Sequence, residues 1–328
     1  MRPTSQPQPP RTGGRKTGRA SPAPNPRANL YDAVTDAIIA QLEAGVFPWA
    51  QPWGPTGTDA PALPRNAVTG RRYSGVNILL LWGATFAGGH ASHDWLTFRQ
   101  ALAAGGAVRK GERGTTVVYA HHFTPEAEKA RARETGEDAR VVPFLKRFTV
   151  FNLDQCEGLD RLAPAPAPRT ERDIIPSAEA LIAASGADLR IGGDRAFYAP
   201  GPDFIRVPPQ AAFFAPVDYY RTALHELTHW TGHPTRLGRD QSGGFATPAY
   251  AREELAAEMG SAFLCAALGV VPTVRHADYL GSWLSVLRED NRALFRAASQ
   301  ASKAADFLLA FAPPDPLALA AQAEGIAA

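Results

Sequence analysis

Apolar positions recur at helical spacing from Asn29 onward, where Leu30, Val34, Ile38, Ile39 and Leu42 mark one face of a helix that Gly45 ends. A Trp- and Pro-rich loop follows, from Phe47-Pro48-Trp49 to Pro52-Trp53-Gly54. Two short apolar helices are expected next, over 76–86 and 94–104, the second capped by Asp94. After Gly105-Gly106 the texture changes. Thr115 to Tyr119 and Phe144 to Leu153 read as β-strands on either side of a charged excursion at 124–140.

The second half returns to helical periods. A short helix over about 177–185 leads to a hairpin that pairs Arg195–Ala199 with Asp203–Val207 across Pro200-Gly201-Pro202. Three helices then follow, at 216–231, 248–268 and 276–312. The fold class is α+β in two domains: an N-terminal α+β domain over 28–157, and a mostly helical C-terminal domain over 176–315 with a small β-hairpin or sheet. Between them, 158–175 carries Ala-Pro-Ala-Pro-Ala-Pro at 163–168, the composition of a semi-rigid spacer. Residues 1–27 have seven prolines and few large apolar side chains, so a disordered tail is expected there, and 316–328 reads as a flexible C-terminus.

Composition adds limits. A chain of 328 residues is long enough for two domains, and 45% hydrophobic with 20% charged residues is ordinary for a globular protein. The longest apolar run, Val76 to Gly88, is interrupted by Asn77 and is too short to span a bilayer. With no secretory pattern at the start and two distant cysteines, the expectation is a cytoplasmic protein without a disulfide framework or membrane partner. The net charge of +2 is unevenly spread: residues 1–27 hold six Lys/Arg and no acid. Such a tail makes an anionic partner plausible at that end, although basic, Pro-rich tails also serve solubility alone.

The strongest local signal is His225-Glu226-Leu227-Thr228-His229. On a helix, residues four apart share a face, so both imidazoles can reach one metal ion. Glu226 then points near the open coordination position as a catalytic base. Pro216 suits the helix start and Gly232 its stop. A catalytic Zn2+ needs a third protein ligand. The metzincin pattern fails, because its last histidine position is Thr235 and His233 follows Gly232 too closely. The gluzincin pattern fits better: Glu254 and Glu258 share a face of the 248–268 helix. Glu254 is the expected ligand and Glu258 the acceptor for the spare nitrogen of a ligand histidine, whereas Glu253 has Ala257 at its own i+4 position. The implied chemistry is hydrolysis of an unspecified protein or peptide substrate.

Basic residues beside aromatics and glycines in the first half suggest nucleic-acid contact. The candidates are Arg71, Arg72 and Tyr73, then Arg109, Lys110 and Arg113, and Lys146 in the later strand. Trp49, Trp53, Tyr73, Trp82 and Trp95 are possible faces for base stacking. The plain alternative is solvated turn tips and core tryptophans.

Tyr31 to Leu42, Phe47-Pro48-Trp49, Arg72-Tyr73-Ser74-Gly75-Val76-Asn77, Trp95-Leu96-Thr97-Phe98 and Val108 to Thr115 together resemble the N-terminal domain of ArdC-type antirestriction proteins, a domain type also found in TraC-type plasmid primases. His225 to His233 and Arg252 to Met259 resemble that family's zincin-like metallopeptidase domain. The resemblance implies a bacterial protein encoded on a mobile element. It further implies an N-terminal domain that binds single-stranded DNA without sequence preference and protects incoming DNA from host restriction. Two other readings are a zinc metalloprotease whose N-terminal domain binds protein, and a primase-associated DNA-transfer protein.

Overall fold

The computed structural model describes residues 28–50, 62–139, 142–162, 171–244, 247–272 and 279–312. The basic tail, Trp53, the Ala-Pro run, His276 and the C-terminal segment lie outside the described residues.

The first half begins with α1 (Ala28–Glu43), which buries the Leu30, Val34, Ile38 and Leu42 stripe. A short β1 (Arg65–Asn66) precedes α2 (Val76–Gly88), β2 (Asp94–Leu96) and α3 (Phe98–Ala103). Then come β3 (Ala107–Val108), β4 (Thr115–Phe123), α4 (Glu126–Thr135), β5 (Val142–Asn152) and β6 (Cys156–Glu157). Four strands form a sheet in the order β1-β2-β5-β4, with a long antiparallel β4–β5 pair that matches Tyr119 to Lys146 and Val117 to Phe148. α2 covers part of the β4 edge: the Asn77 side chain accepts from Val118 N at 2.8 Å and donates to Val118 O at 2.7 Å. Those bonds satisfy backbone groups that would otherwise template further pairing.

The second half opens with α5 (Glu171–Ser185), which starts ahead of the residue 177 that periodicity suggests. β7 (Asp188–Ile191), β8 (Phe197–Ala199) and β9 (Phe204–Val207) form a sheet in the order β7-β9-β8. The β8–β9 hairpin is the one expected, while β7, parallel to β9, was not legible in the pattern. α6 (Pro216–Thr231), α7 (Pro248–Leu268), α8 (Leu280–Glu289) and α9 (Ala293–Leu309) complete the chain. Among the described residues no helix is long and apolar enough to cross a membrane.

Two expectations are corrected. The helix over 94–104 is β2 followed by α3. Asp94 is no cap, since its carboxylate takes two hydrogen bonds from Arg65 at 2.6 and 3.2 Å, and Trp95 and Leu96 are buried on opposite faces of the strand. Thr97 caps α3 instead, in a reciprocal capping box with Gln100. The single helix over 276–312 is broken between α8 and α9, where Asn291 accepts from Thr35 Oγ1 through its carbonyl and donates to Asp32 through its amide. The charged excursion between the two strands contains α4, an exposed helix laced by Lys129–Glu126 and Arg131–Glu128 pairs.

The largest cluster of buried side chains draws on both halves of the chain. Trp82 of α2 meets Phe263 of α7 at 5.6 Å between ring centroids, and Trp49 meets Trp283 of α8 at 5.7 Å. At its centre, α6 crosses α7 at Gly260. A Cβ there would lie 2.5 Å from Thr228 Cγ2, so only glycine lets the two backbones come this close.

Candidate metal centre and nucleic-acid face

α6 owes its ends to Pro216 in the first turn and Gly232 at the stop, and it is buried along most of its length. His225 and His229 therefore point from one face towards α7, which Thr247 caps by accepting from Tyr250 N. Their Nε2 atoms lie 3.2 Å apart. Glu254 of α7 completes the triangle, with Oε2 3.6 Å from His225 Nε2 and Oε1 3.6 Å from His229 Nε2. Donors about 2.1 Å from a tetrahedral ion are separated by roughly 3.4 Å, and each imidazole stands near that spacing from the other and from one oxygen of the Glu254 carboxylate. Among the described residues this is the one such group of His, Cys, Asp and Glu side chains. His233 lies outside it, with its Nδ1 2.8 Å from Thr235 Oγ1.

Glu253 holds the place that spacing had denied it. Its carboxylate is 8% exposed and accepts from His229 Nδ1 at 3.0 Å. Two bonds from Arg239, at 2.9 and 2.8 Å, and one from Gln241, at 3.0 Å, complete its partners. A donating Nδ1–H leaves the His229 Nε2 lone pair directed at the centre of the triangle. Arg239 and Gln241 arrive from the loop after α6, so no helical periodicity could have paired them with Glu253. Glu258, the expected acceptor, has Oε1 3.9 Å from His225 Nδ1, which is beyond hydrogen-bond reach.

The acids here are held ionised. Burial raises the Glu253 pKa, but its hydrogen bonds from His229 and Arg239 outweigh that and bring it down to about 2. Burial likewise opposes the Glu254 carboxylate, yet His225 and His229 hold it well below the ordinary carboxylate range. Burial disfavours the His229 cation, and Glu253 and Glu254 more than compensate, raising its pKa to about 10. A pocket that draws a cation onto a histidine in this way suits a divalent ion in the same position.

The triangle opens into a cavity of about 260 Å³. Glu226, 5% exposed, borders it, together with Phe197 and Tyr198 of β8 and with Tyr250 of α7. The Tyr250 and Tyr279 hydroxyls are 3.2 Å apart. Burial, Tyr279 and Glu254 raise the Tyr250 pKa, so its phenol stays protonated. The Tyr279 ring packs on that of Tyr250 at 5.6 Å between centroids, and of the two only Tyr250 lines the cavity.

The nucleic-acid candidates fall into two groups. Arg71, Arg72 and Lys146 are exposed: Lys146 stands opposite Tyr119 at the middle of the β4–β5 pair, Arg71 acts electrostatically on the Tyr119 phenol, and the Arg72 backbone bridges Arg65 of β1. Arg109, Lys110 and Arg113 are exposed at the turn before β4, where Arg109 pairs with Glu112 at 3.0 Å. Arg113 and Tyr119 are separated by roughly 20 Å of extended chain. Tyr73 is corrected: at 8% exposure it packs with Leu81, Trp95, Val117 and Val150. Trp49, Trp82 and Trp95 are also buried, and no base can stack on them. The accessible rings beside Lys146 are Tyr119 (46% exposed) and Phe148 (38%), neither of which is among the sequence candidates. They meet edge to face at 5.4 Å, and the Lys146 ammonium lies 5.1 Å from the centre of the Phe148 ring.

The metal-free crystal structure of the antirestriction ArdC protein from plasmid R388 is similar to this chain at a TM-score of 0.71. The two are 41% identical, over 86% of this chain and 97% of that one. The chain belongs to the ArdC family of antirestriction proteins. The Mn(II)-bound structure of the R388 protein matches equally well, at 40% identity and a TM-score of 0.71, over 87% of this chain and 98% of that one. Residues 28–151 match the family model for the N-terminal domain of anti-restriction factor ArdC, and residues 176–300 match that for a zincin-like metallopeptidase. A DNA primase TraC of Escherichia coli is 42% identical over 298 residues, covering 86% of this chain and 27% of the primase. This ArdC-family chain thus spans about a quarter of the length of that relative, and 20% of a second TraC. The uncharacterized protein y4eC of Sinorhizobium fredii is 41% identical over 87% of this chain and 93% of its own length. The zincin-like domain implies a divalent metal, and the donor set of His225, His229 and Glu254 fits one.

Proposed function

We propose that this ArdC-family protein binds single-stranded DNA on its β4–β5 face and hydrolyses peptide bonds at a zinc centre held by His225, His229 and Glu254. In this reading the DNA bound is that of an incoming mobile element, which is shielded from restriction. The observation that carries the hydrolytic half is the convergence of the two imidazoles, 3.2 Å apart, on the Glu254 carboxylate, whose two oxygens each lie 3.6 Å from one of them, bordered by the carboxylate of Glu226.

When bound, zinc supplies Lewis acidity at the substrate carbonyl and lowers the pKa of a coordinated water towards neutrality. Glu226 takes up a proton from the attacking water and returns it to the leaving amine. Tyr250 donates its phenolic hydrogen bond towards the oxygen on which negative charge develops. β8, the edge strand of its sheet that lines the cavity, offers backbone groups to an extended peptide there. Arg236 keeps that hairpin against α6: it bonds Asp203 at 3.0 and 2.5 Å and lies 3.8 Å over the Trp230 ring. Zinc, rather than another divalent ion, suits a site of two imidazoles and one carboxylate with an open position.

The DNA half is supported by the family's N-terminal domain and by the exposed pairing of Tyr119 and Phe148 with Lys146 and Arg71. Glu226→Gln tests the first half: the variant should keep its metal and its fold and lose cleavage of a casein-derived peptide mixture. Unchanged cleavage would remove Glu226 from the chemistry. Binding of a mixed-sequence single strand at low salt tests the second, and its absence there would remove the DNA reading.

A further inference from the structure

A second basic and aromatic surface lies on α9, in the half of the chain to which no nucleic-acid contact has been assigned. Arg292, Arg296, Ser299 and Lys303 recur along its exposed face at helical spacing. With Tyr31 of α1 and Phe295 they line a groove of about 340 Å³. Tyr31 and Phe295 meet edge to face at 4.6 Å, and the Arg292 guanidinium lies 5.1 Å from the centre of the Tyr31 ring. Arg296 pairs with Asp290. Arg292 and Lys303 have no carboxylate partner among the described residues, so the groove carries uncompensated positive charge.

The groove leads to the β4–β5 face. Beside Lys303, the Ser302 hydroxyl accepts from Gly75 N at 2.7 Å, which fixes the Arg71–Gly75 segment against α9. One turn further along, Arg72 acts electrostatically on Asp306. Arg71 acts in the same way on the Tyr119 phenol, and Tyr119 stands opposite Lys146 across the strands. Cations thus follow one another from Arg292 along about 16 Å of helix to Lys303, then through Arg72 and Arg71 to Lys146. Phosphates along a strand need cations in series, and bases need exposed ring faces. Both are present at each end of this track.

We infer that a single strand of DNA leaving the β4–β5 face crosses onto α9, with its phosphates on Arg292, Arg296 and Lys303 and a base against Tyr31 and Phe295. This rests on the reading of the β4–β5 face as a DNA surface and extends it into the metallopeptidase half.

The test uses the full chain with fluorescent oligothymidines of about 6 and about 20 nucleotides, bracketing one short and one long single-strand site. Two double variants are compared with the wild type: Arg292→Ala with Lys303→Ala, and Tyr119→Ala with Lys146→Ala. All the changed residues are exposed, and coincident thermal unfolding confirms the fold. The α9 variant should bind the short oligonucleotide as the wild type does and the long one at least about tenfold more weakly at low salt. Its salt dependence should be shallower by about 1.4, or 0.7 for each lost phosphate contact. The β4–β5 variant should weaken both. Wild-type affinity and slope for both oligonucleotides in the α9 variant would overturn the groove, whatever the β4–β5 variant does. Loss in the α9 variant alone would keep the groove and overturn the β4–β5 reading. Binding of neither oligonucleotide by the wild type would overturn both.

Discussion

Replacing Glu253 by Gln should weaken the metal centre although Glu253 is not itself one of the three donors. Its carboxylate orients His229 at 3.0 Å and is the buried counter-charge of Arg239, whose side chain is 4% exposed. The Gln amide preserves shape and can still accept from His229, but it leaves Arg239 without an anion. Breaking one partner of a buried pair costs about 3–5 kcal/mol. Lowering of the Glu253 pKa from 4.5 to about 2 corresponds to on the order of 3 kcal/mol, which agrees. A depressed carboxylate contributes stability that is present above about pH 4.5 and is lost as the pH falls towards 2. The loss in Glu253→Gln should accordingly appear near pH 7 and shrink in acid. Disturbing the partner of a ligand histidine costs about 10–100-fold in metal affinity. Urea unfolding of the metal-free proteins and zinc competition against a chromophoric chelator measure the two effects separately. Glu258→Gln, with its longer 3.9 Å approach, should lose less of both. Wild-type zinc affinity and stability in Glu253→Gln would refute its positioning role.

Tyr119→Ala and Phe148→Ala should each cost about 1–3 kcal/mol in single-stranded-DNA affinity by anisotropy, whereas Tyr73→Phe should leave that affinity unchanged. Gly260→Ala places a methyl 2.5 Å from Thr228 Cγ2, so the Thr228 side chain must turn away from its bond to Leu224 O or α6 and α7 must part; denaturant unfolding should show a loss of about 1–3 kcal/mol together with weaker zinc binding. The Asp203 pKa is lowered, chiefly by its hydrogen bonds from Arg236, so the stability it contributes is present above its ordinary range and lost as the pH falls through the folded value. Asp203→Asn should therefore lower the melting temperature at neutral pH and flatten its decline in acid, as followed by circular dichroism across a pH series.

Much of the centre is legible in the sequence because it is written locally. Pro216 and Gly232 bound α6, Thr247-Pro248 and Gly269 bound α7, and the four-residue spacing of His225 and His229 has meaning on any helix. Glu254 follows from the same periodicity one helix later. What escaped depends on distant partners. Glu253 is chosen by Arg239 and Gln241, which a loop delivers, and Asp94 is drawn into a strand by Arg65. Aromatic residues near cations look alike in sequence. Only the packing of α2 and β2 against β4–β5 decides that Tyr73 and Trp95 are core while Tyr119 and Phe148 face outward. The break between α8 and α9 likewise answers to α1, through Asp32 and Thr35.

The most direct measurement is metal content, by elemental analysis, of the purified wild type beside Glu254→Ala. A centre made by His225, His229 and Glu254 predicts a stoichiometric divalent ion, zinc, in the wild type and its loss in the variant. Full retention in Glu254→Ala, or no metal in the wild type after growth with zinc, would contradict it.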